Sequence, residues 1–326
     1  MNKNDEIKKI LQTAKKTIRD EANAISKLSN SIGMDFAEAV LSISKSKGRV
    51  IITGIGKSAI IGKKITATLN STGTPAIFMH AAEAIHGDLG IIQPDDIVIF
   101  ISKSGNTPEI KSLLHIVKDM GNIIIGIVSD KNSFLAKHSD FIIYTPVEKE
   151  ACPNNLAPTT STTVQLVVGD AIASALIEIN GFSDKDFAKF HPGGSLGKKL
   201  FYKVELLMND NPPAVKLDTP IKDVILEISN KRMGATAIVD DTGKKVLGII
   251  TDGDLRRMLE YDKFKNDLLA KDIMTPNPKK IHKRSLASTA LNIMENYSIT
   301  QLIVVDDNKN YVGMIHLHDI LKEGIS

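Results

Sequence analysis

The sequence predicts an α/β fold: a five-stranded parallel sheet flanked by helices, followed by a tandem pair of smaller α+β modules. Two observations support this architecture. Between residues 50 and 144, short and continuous apolar runs alternate with helical segments, as in sheets whose parallel strands are buried on both faces. Beyond residue 207, the sequence repeats itself once, which indicates two copies of one structural unit.

The composition is that of an ordinary globular protein of more than one domain. The chain has 326 residues, of which 42% are hydrophobic and 24% are charged. Its net charge of +3 and its lack of tryptophan argue against a nucleic-acid-binding protein. The single cysteine, Cys152, excludes an internal disulfide and a cysteine-based zinc cluster, and it fits a reducing compartment.

The N-terminal residues do not resemble a targeting signal. Met1–Glu6 is acidic and lacks an apolar run, and we expect no stretch of the chain to reach the roughly 18 apolar residues that span a bilayer. We therefore expect a cytoplasmic protein without a membrane or nucleic-acid partner.

Helices are predicted at the N-terminus, over residues 5–46. Ile7, Ile10 and Leu11 recur at helical spacing, and Asn30–Gly33 separates a second helix from the first. An apolar stripe on such helices favours packing or oligomerisation. We assign residues 1–38 to this N-terminal helical segment.

The predicted sheet follows the N-terminal helices. Its five strands are at 50–55, 76–79, 97–101, 123–128 and 141–144. Helices are predicted between or after them at 58–69, 108–120, 133–137 and 160–176. Ligands of such sheets bind at the carboxyl ends of the strands, so the loops that follow the strands are the expected location of the chemistry.

The loop after the first strand, Gly54–Ala59, carries a lysine between a glycine and a serine. It is not a phosphate-binding P-loop, because Ile51 stands where the first glycine of that motif is required. A dinucleotide fingerprint needs an acidic residue about 20 residues further on, and His80 stands near that position. Lys57 suits a single phosphate or a sugar oxygen better.

The loop after the third strand, Ser102–Thr107, has the composition of an anion site. Three hydroxyls and a glycine precede Pro108, and the free N–H groups and dipole of a helix N-terminus favour phosphate. The alternative is a turn with a serine cap. Glu109, in the first helical turn, is either a catalytic carboxylate or one that complements the helix dipole.

The C-terminal repeat defines two modules. Met208–Pro212 is similar to Met274–Pro278, and Gly248–Leu255 is similar to Gly313–Ile320. We place the modules at 208–266 and 274–326. Because each is small, we expect them to pack as a pair.

The two phosphate-type loops together resemble the sugar isomerase (SIS) domain, whose Ser-x-Ser-Gly-x-Thr motif is matched by Ser102–Thr107. This resemblance implies that Ser102, Ser104 and Thr107 hold a phosphate and that Ser58 reaches it.

The repeat resembles tandem CBS modules, which often bind adenosine nucleotides. The resemblance implies a nucleotide or nucleotide-sugar near Thr251 and Asp254. The second copy has His316 and Asp319 at the matching positions, a departure from the family pattern. A purely structural pair remains the alternative.

Nearly the whole chain past residue 49 resembles the D-arabinose-5-phosphate isomerase family, a SIS domain followed by two CBS modules. The segments that carry the resemblance are 71–76, 83–90, 150–153, 156–163, 169–171 and 191–197. It implies a SIS domain over 39–182, an active-site turn and linker over 183–207, and a homotetramer. It also implies that four residues are catalytic: Lys57, Glu109, Glu150 and His191. Substrate contacts are implied for Gly73, Thr74 and His86.

The implied reaction interconverts D-ribulose 5-phosphate and D-arabinose 5-phosphate through an enediolate, without a cofactor, and supplies Kdo for lipopolysaccharide or capsule. It requires a base, an acid and a cation. Glu150 follows the fifth strand and is a candidate base, but the choice among Glu150, Glu109, His191 and His86 stays open. Lys57 is the candidate cation. His80 is a weak candidate for binding a metal, which would inhibit.

Two other functions remain open. The chain could be a non-catalytic sensor that binds a phosphosugar and signals through the CBS pair, or an isomerase of another phosphosugar. A sensor needs the phosphate loop but not Glu150 or the turn around His191, and both are present. An enzyme is therefore favoured.

Overall fold

The computed structural model describes residues 2–209, 211–260 and 267–325. The chain divides into two compact units, Met1–Phe190 and His191–Ser326. The boundary falls inside the segment 183–207 that was predicted to link the domains. The first module, expected over 208–266, includes residues that lie outside the described part of the chain.

Two helices open the first unit, as predicted. Helix α1 spans Lys3–Ser29 and α2 spans Met34–Lys45, with the Asn2 side chain accepting a hydrogen bond from Asn4 at the start of α1. Near its C-terminal end, α1 buries Leu28, while the stretch from residue 7 to residue 18 leaves large apolar side chains exposed. These exposed side chains are Ile7, Ile10, Leu11 and Ile18.

The predicted five-stranded parallel sheet is confirmed. Its strands are β1 (Val50–Gly54), β2 (Ala76–His80), β3 (Ile97–Ser102), β4 (Ile123–Val128) and β5 (Phe141–Tyr144). They lie in the order β2-β1-β3-β4-β5, and every neighbouring pair is parallel. The strand order places β1 and β3 in the interior, which explains why their sequences are apolar without alternation.

Helices cover both faces of the sheet. They are α3 (Lys57–Ser71), α4 (Ala81–Ala84), α5 (Pro108–Asp119), α6 (Phe134–His138) and α7 (Thr160–Asn180), and α8 (Asp184–Phe190) ends the unit. Ile52 and Ile99 point into one apolar cluster with α3 and α7, whereas Ile51 and Val98 point into a second cluster with α5. Successive strand residues thus serve opposite faces.

Helix α7 is the one helix among the described residues that is long and apolar enough to cross a bilayer. The expectation that no such stretch exists was therefore wrong. Packing explains the composition, because Val164, Val168 and Ile172 are fully buried against the sheet and α3. Buried core helices have the same apolar character as membrane spans.

The second unit begins with α9 (Ser195–Phe201) and contains two similar sheets, which fits the sequence repeat. Its first half has β6 (Ala214–Lys216), α10 (Ile221–Lys231), β7 (Ala235–Val239), β8 (Val246–Thr251), α11 (Asp252–Glu260), α12 (Ala270–Ile273) and β9 (Thr275–Pro276). Its second half has β10 (Lys280–His282), α13 (Ala287–Tyr297), β11 (Gln301–Val305), β12 (Tyr311–His316) and α14 (Leu317–Lys322). The sheet orders are β6-β7-β8-β9 and β10-β11-β12, with an irregularity at equivalent positions after Ile238 and Val304.

The segment 198–207, which is part of the predicted linker 183–207, belongs to the core of the second unit. It includes most of helix α9 (Ser195–Phe201), which contacts α13. Val204 is fully buried, and its N–H donates to the carbonyl of Ser285. The expectation was wrong because one buried valine leaves no periodic signal in a sequence.

The contact between α3 and α7 predicts a strong effect for Gly169→Ala. A Cβ at Gly169 would lie 2.3 Å from a side-chain carbon of Ile65, a stiff β-branched residue. Overpacking of this kind costs about 1–3 kcal/mol. We expect urea unfolding to show a loss in this range, although alanine is the better helix former. Gly33→Ala, with open space around its Cβ, is the control; equal stabilities of the Gly169→Ala variant and the wild type would contradict this packing.

Candidate active site

The loop after β3 forms a compact turn that is closed by a hydrogen bond from a backbone N–H to a side chain. The Ser102 hydroxyl at the end of the strand accepts a hydrogen bond from the Gly105 N–H at 3.1 Å. Gly105 has φ of +62°, and a Cβ there would lie 2.3 Å from the Ser133 hydroxyl, so glycine is required on both counts. The turn leaves Ser104 exposed.

Thr107 connects this loop to α5, and its side-chain hydroxyl is available to a ligand. Its Oγ1 is buried and has no hydrogen-bond partner within the described part of the chain. Pro108 occupies the first helical turn, where a missing N–H costs nothing. A buried hydroxyl without a partner next to a helix N-terminus fits an anionic ligand such as a phosphate.

The loops after β1 and β3 meet around one cavity. Its volume is 260 Å³, and residues from both loops and from the start of α7 line it. These include Lys57, Ser58, Ser102, Ser104, Thr107 and Ser161. The structure thus brings together the predicted phosphate-binding side chains, and Ser58 is held by its hydrogen bond to Gln165 at 3.1 Å.

Glu150 lies beside this cavity with an almost fully buried side chain. Its Oε1 accepts a hydrogen bond from the Lys103 ammonium at 2.6 Å. Its Oε2 accepts hydrogen bonds from the backbone N–H groups of Thr159 and Ser161, at 2.9 and 3.1 Å. Both carboxylate oxygens are therefore engaged by donors.

These donors determine the charge of Glu150. Burial raises its pKa, but the hydrogen bonds from Lys103, Ser161 and Thr159 outweigh this effect and lower the pKa to about 2. Glu150 is therefore an anion at neutral pH.

Lys103 was missed by the sequence reasoning. It occupies the variable position of the Ser-x-Ser motif, which carries no expectation about its side chain. Its partner is 47 residues away in the sequence. No local pattern indicates such a contact.

The remaining candidates at this edge of the sheet are less enclosed. Glu109 lies in the first turn of α5, and His86 is exposed in the segment after β2. His80 caps α4 by accepting the N–H of Ala82 at 3.3 Å. Among the described residues no three His, Cys, Asp or Glu side chains are grouped to hold a metal ion, and metal binding at His80 stays a prediction.

Gly73 and Thr74 lie at the amino ends of the strands, opposite the carboxyl ends where the cavity is. They precede β2, whose first residue, Ala76, pairs with the first residue of β1, Val50. The phosphate loop follows the other end of the strands, so within one chain these two residues are not part of the cavity. The family resemblance placed these two residues with the substrate contacts, but it carries no information about which end of β2 they precede.

His191 is the first residue of the second unit. Its carbonyl accepts the N–H of Gly194 at 3.1 Å, and a Cβ at Gly197 would lie only 2.2 Å from that carbonyl oxygen. The predicted turn is therefore a tight one that requires a glycine.

The second unit has two clefts near the predicted ligand residues. The first, of 590 Å³, includes Thr251, Asp254 and Arg257, and the Thr251 hydroxyl donates to Asp254 at 2.7 Å. The second, of 680 Å³, includes Asp319 and His316. The ring of His316 stacks on His318, and burial lowers its pKa.

Comparison with known proteins identifies both units. The SIS domain model matches residues 42–175, and the CBS domain model matches residues 204–261 and 270–326. The chain is therefore a SIS domain joined to a CBS pair. It is 48% identical over 317 residues to arabinose 5-phosphate isomerase KdsD of Francisella tularensis, with 96% of each chain covered. It is 41% identical to KdsD of Escherichia coli K12, again with 96% of each chain covered.

The chain thus belongs to the arabinose 5-phosphate isomerase family. A solved structure of the Escherichia coli CFT073 protein c3406 in complex with arabinose 5-phosphate is similar to this chain, with a TM-score of 0.55 and 43% identity. The match covers 59% of this chain and 100% of that one.

The low pKa of Glu150 predicts that the free energy of unfolding decreases at acidic pH. Its pKa is lower folded than unfolded, so the carboxylate stabilises the fold above its unfolded pKa and ceases to do so as the pH falls towards 2. At pH 7 this contribution is roughly 3 kcal/mol. We expect Glu150→Gln to lose it in urea unfolding at pH 7, and the difference from wild type to fall by roughly half at pH 3.

The control for this experiment is Glu148→Gln. Glu148 also pairs with a lysine, Lys27, at 2.7 Å, but both side chains are exposed. Exposed pairs contribute little to stability, because solvent and salt screen them. A Glu150→Gln effect as small as that of the control, at both pH values, would contradict the burial and pairing of Glu150.

Proposed function

We propose that this chain is an aldose–ketose isomerase that interconverts D-ribulose 5-phosphate and D-arabinose 5-phosphate. The observation that carries the proposal is the cavity between the loops after β1 and β3. Among the described residues the buried Thr107 hydroxyl has no partner there, and serines surround it. Family membership supports the substrate, because the relatives are named arabinose 5-phosphate isomerases. We further propose that the product supplies Kdo for lipopolysaccharide or capsule, and that the protein is cytoplasmic.

The phosphate end of the substrate is held mainly by hydroxyl and backbone N–H groups. We assign it to the hydroxyls of Ser102, Ser104 and Thr107 and to the N-terminus of α5, with Ser58 contributing from the first loop. A phosphate that does not react serves as an anchor, and the binding energy fixes the sugar for proton transfer. Lys57, in the same cavity, adds a positive charge.

The chemistry occurs at the other end of the open-chain sugar. A base removes a proton from C1 of the ketose, and the electrons move onto the C2 oxygen to give an enediolate. The hydroxyl proton of O1 is then transferred to O2, and a proton is returned to C2, so that O1 becomes the aldehyde oxygen and O2 the hydroxyl. We assign these proton transfers to Glu109, His86 and His191, because Glu150 is engaged by donors on both oxygens. No cofactor is required.

We also propose a homotetramer in which a neighbouring copy completes each site. Exposed apolar side chains of α1, such as Ile10 and Ile18, give this helix a surface to bury. Gly73 and Thr74, which lie at the far edge of the sheet, would then contact substrate bound by another copy. A nucleotide or nucleotide-sugar bound at Thr251 and Asp254 would regulate the enzyme. Asp319 lies in the other cleft, where His316 replaces the threonine of the first.

The direct test is an NMR assay of the purified chain with D-ribulose 5-phosphate. We expect D-arabinose 5-phosphate to form. We expect ketohexose phosphates to be turned over at least tenfold less efficiently, because a longer sugar fits the transition-state geometry of the site less well. Binding without turnover would indicate the sensor instead. Faster turnover of a hexulose phosphate would indicate the other isomerase.

The phosphate loop predicts a binding defect for Ser104→Ala. One lost charge-assisted hydrogen bond costs about 1.5–3 kcal/mol. Since the phosphate is held equally in the ground and transition states, we expect KM to rise while kcat changes little. Ser112→Ala, on the exposed surface of α5, is the control. An unchanged KM would remove Ser104 from the phosphate site.

The positions of the assigned catalytic residues predict that residues 1–203 remain a folded isomerase, although this cut lies inside the second unit and separates α9 from α13. All the assigned catalytic residues precede the repeat, and the first unit has its own apolar clusters. We expect kcat/KM to stay within about a hundredfold of the full chain, which is roughly 2.7 kcal/mol. Circular dichroism checks folding, and a folded but more severely impaired truncation would place part of the catalytic machinery in the CBS pair.

A further inference from the structure

The ion pair between Lys103 and Glu150 joins the phosphate loop to the loop after β5. The Lys103 Nζ and Glu150 Oε1 atoms are 2.6 Å apart. The two side chains differ in exposure, with 41% of Lys103 and 3% of Glu150 accessible to solvent. The lysine therefore faces the cavity, while the glutamate lies beneath it.

The geometry around Glu150 is that of a fixed anion. Besides Lys103, the N–H groups of Thr159 and Ser161 donate to it, and they lie at the start of the 21-residue helix α7, whose dipole favours negative charge. A general base must accept a proton near the operating pH. Glu150 would have to give up a charge that all its neighbours stabilise, so it is poorly suited to that task.

A fixed anion is well suited to hold a cation in place. Lys103 lies between Ser102 and Ser104 and lines the cavity together with Lys57. Of the three N–H donors of an ammonium group, one is directed at Glu150. Within the described part of the chain the ammonium makes no second hydrogen bond, so its other donors remain for a ligand. The charge is also in place before the substrate arrives, which is the arrangement that stabilises a developing anion most effectively.

We infer that the Lys103 ammonium, positioned by Glu150, stabilises the negative charge that develops on the oxygens of the enediolate. This inference rests on the proposed function, because it requires a reaction that passes through an enediolate. Lys103 stays protonated throughout: the base takes the C1 proton and a proton is returned to C2, a second proton passes from O1 to O2, and the ammonium only donates hydrogen bonds to these oxygens. Lys103 is then a catalytic residue, and Glu150 is its positioning residue.

The test is a double-mutant cycle in the full chain with D-ribulose 5-phosphate. We expect Lys103→Met to lower kcat by about a hundredfold, as does the loss of one oxyanion donor, and to change KM less than about threefold. Glu150→Gln should act in the same direction. The double variant should be no slower than Lys103→Met alone, since Glu150 works only through the lysine.

Two further variants control for charge and folding. Lys103→Arg keeps the positive charge and should retain at least about a tenth of kcat. Lys27→Met removes the lysine of the exposed pair with Glu148 and should leave kcat unchanged. If Lys103→Met does not fold, the double variant, which leaves no buried charge unpaired, and Lys103→Arg carry the test.

Each other outcome overturns the inference in a different way. A rise in KM with normal kcat would make Lys103 a phosphate ligand. A double variant about a hundredfold slower than Lys103→Met would give Glu150 a role of its own, such as the base. An unaffected kcat in all variants would make the pair structural. If the wild type itself does not isomerise the substrate, the proposed function fails, and the inference fails with it.

Discussion

The parallel pairing of β1 with β3 determines where the functional groups of the first unit lie. The register runs from Val50 opposite Ile97 to Gly54 opposite Ile101, so both strands end at the same level. A shift by one residue would exchange the side chains of the two apolar clusters on opposite faces of the sheet. The register is therefore strongly specified, and it brings the loop of Lys57 and the loop of Ser104 to one edge.

The buried carboxylate of Glu150 depends on this alignment. A charge that is removed from water is tolerated only where donors replace the solvent. Here one donor comes from the loop after β3 and the others from the start of α7. The carboxylate thus ties three parts of the chain together, and the same contacts that stabilise its charge limit its value as a base. Stability and catalytic chemistry are coupled at this residue.

The sequence contained most of the architecture because the relevant signals are local or periodic. Continuous apolar runs predicted all five strands, and the motif Ser102–Thr107 predicted a compact, hydroxyl-rich turn after β3, whose shape depends on Gly105. The Lys103–Glu150 contact could not be predicted, because it is formed by side chains that are distant in sequence. The opposite-edge position of Gly73 and the burial of Val204 also depend on tertiary packing rather than on any local pattern.

The proposed reaction requires that the sugar is held by its phosphate while a proton, rather than a hydride, moves between C1 and C2. The most direct measurement is the isomerisation of D-ribulose 5-phosphate in D₂O, followed by NMR of the aldose carbons. An enediolate accepts deuterium from a base that exchanges with solvent, so the account predicts D-arabinose 5-phosphate with deuterium at C2. Product that retains only the original hydrogen after prolonged equilibration, or a failure to form the product, would contradict it.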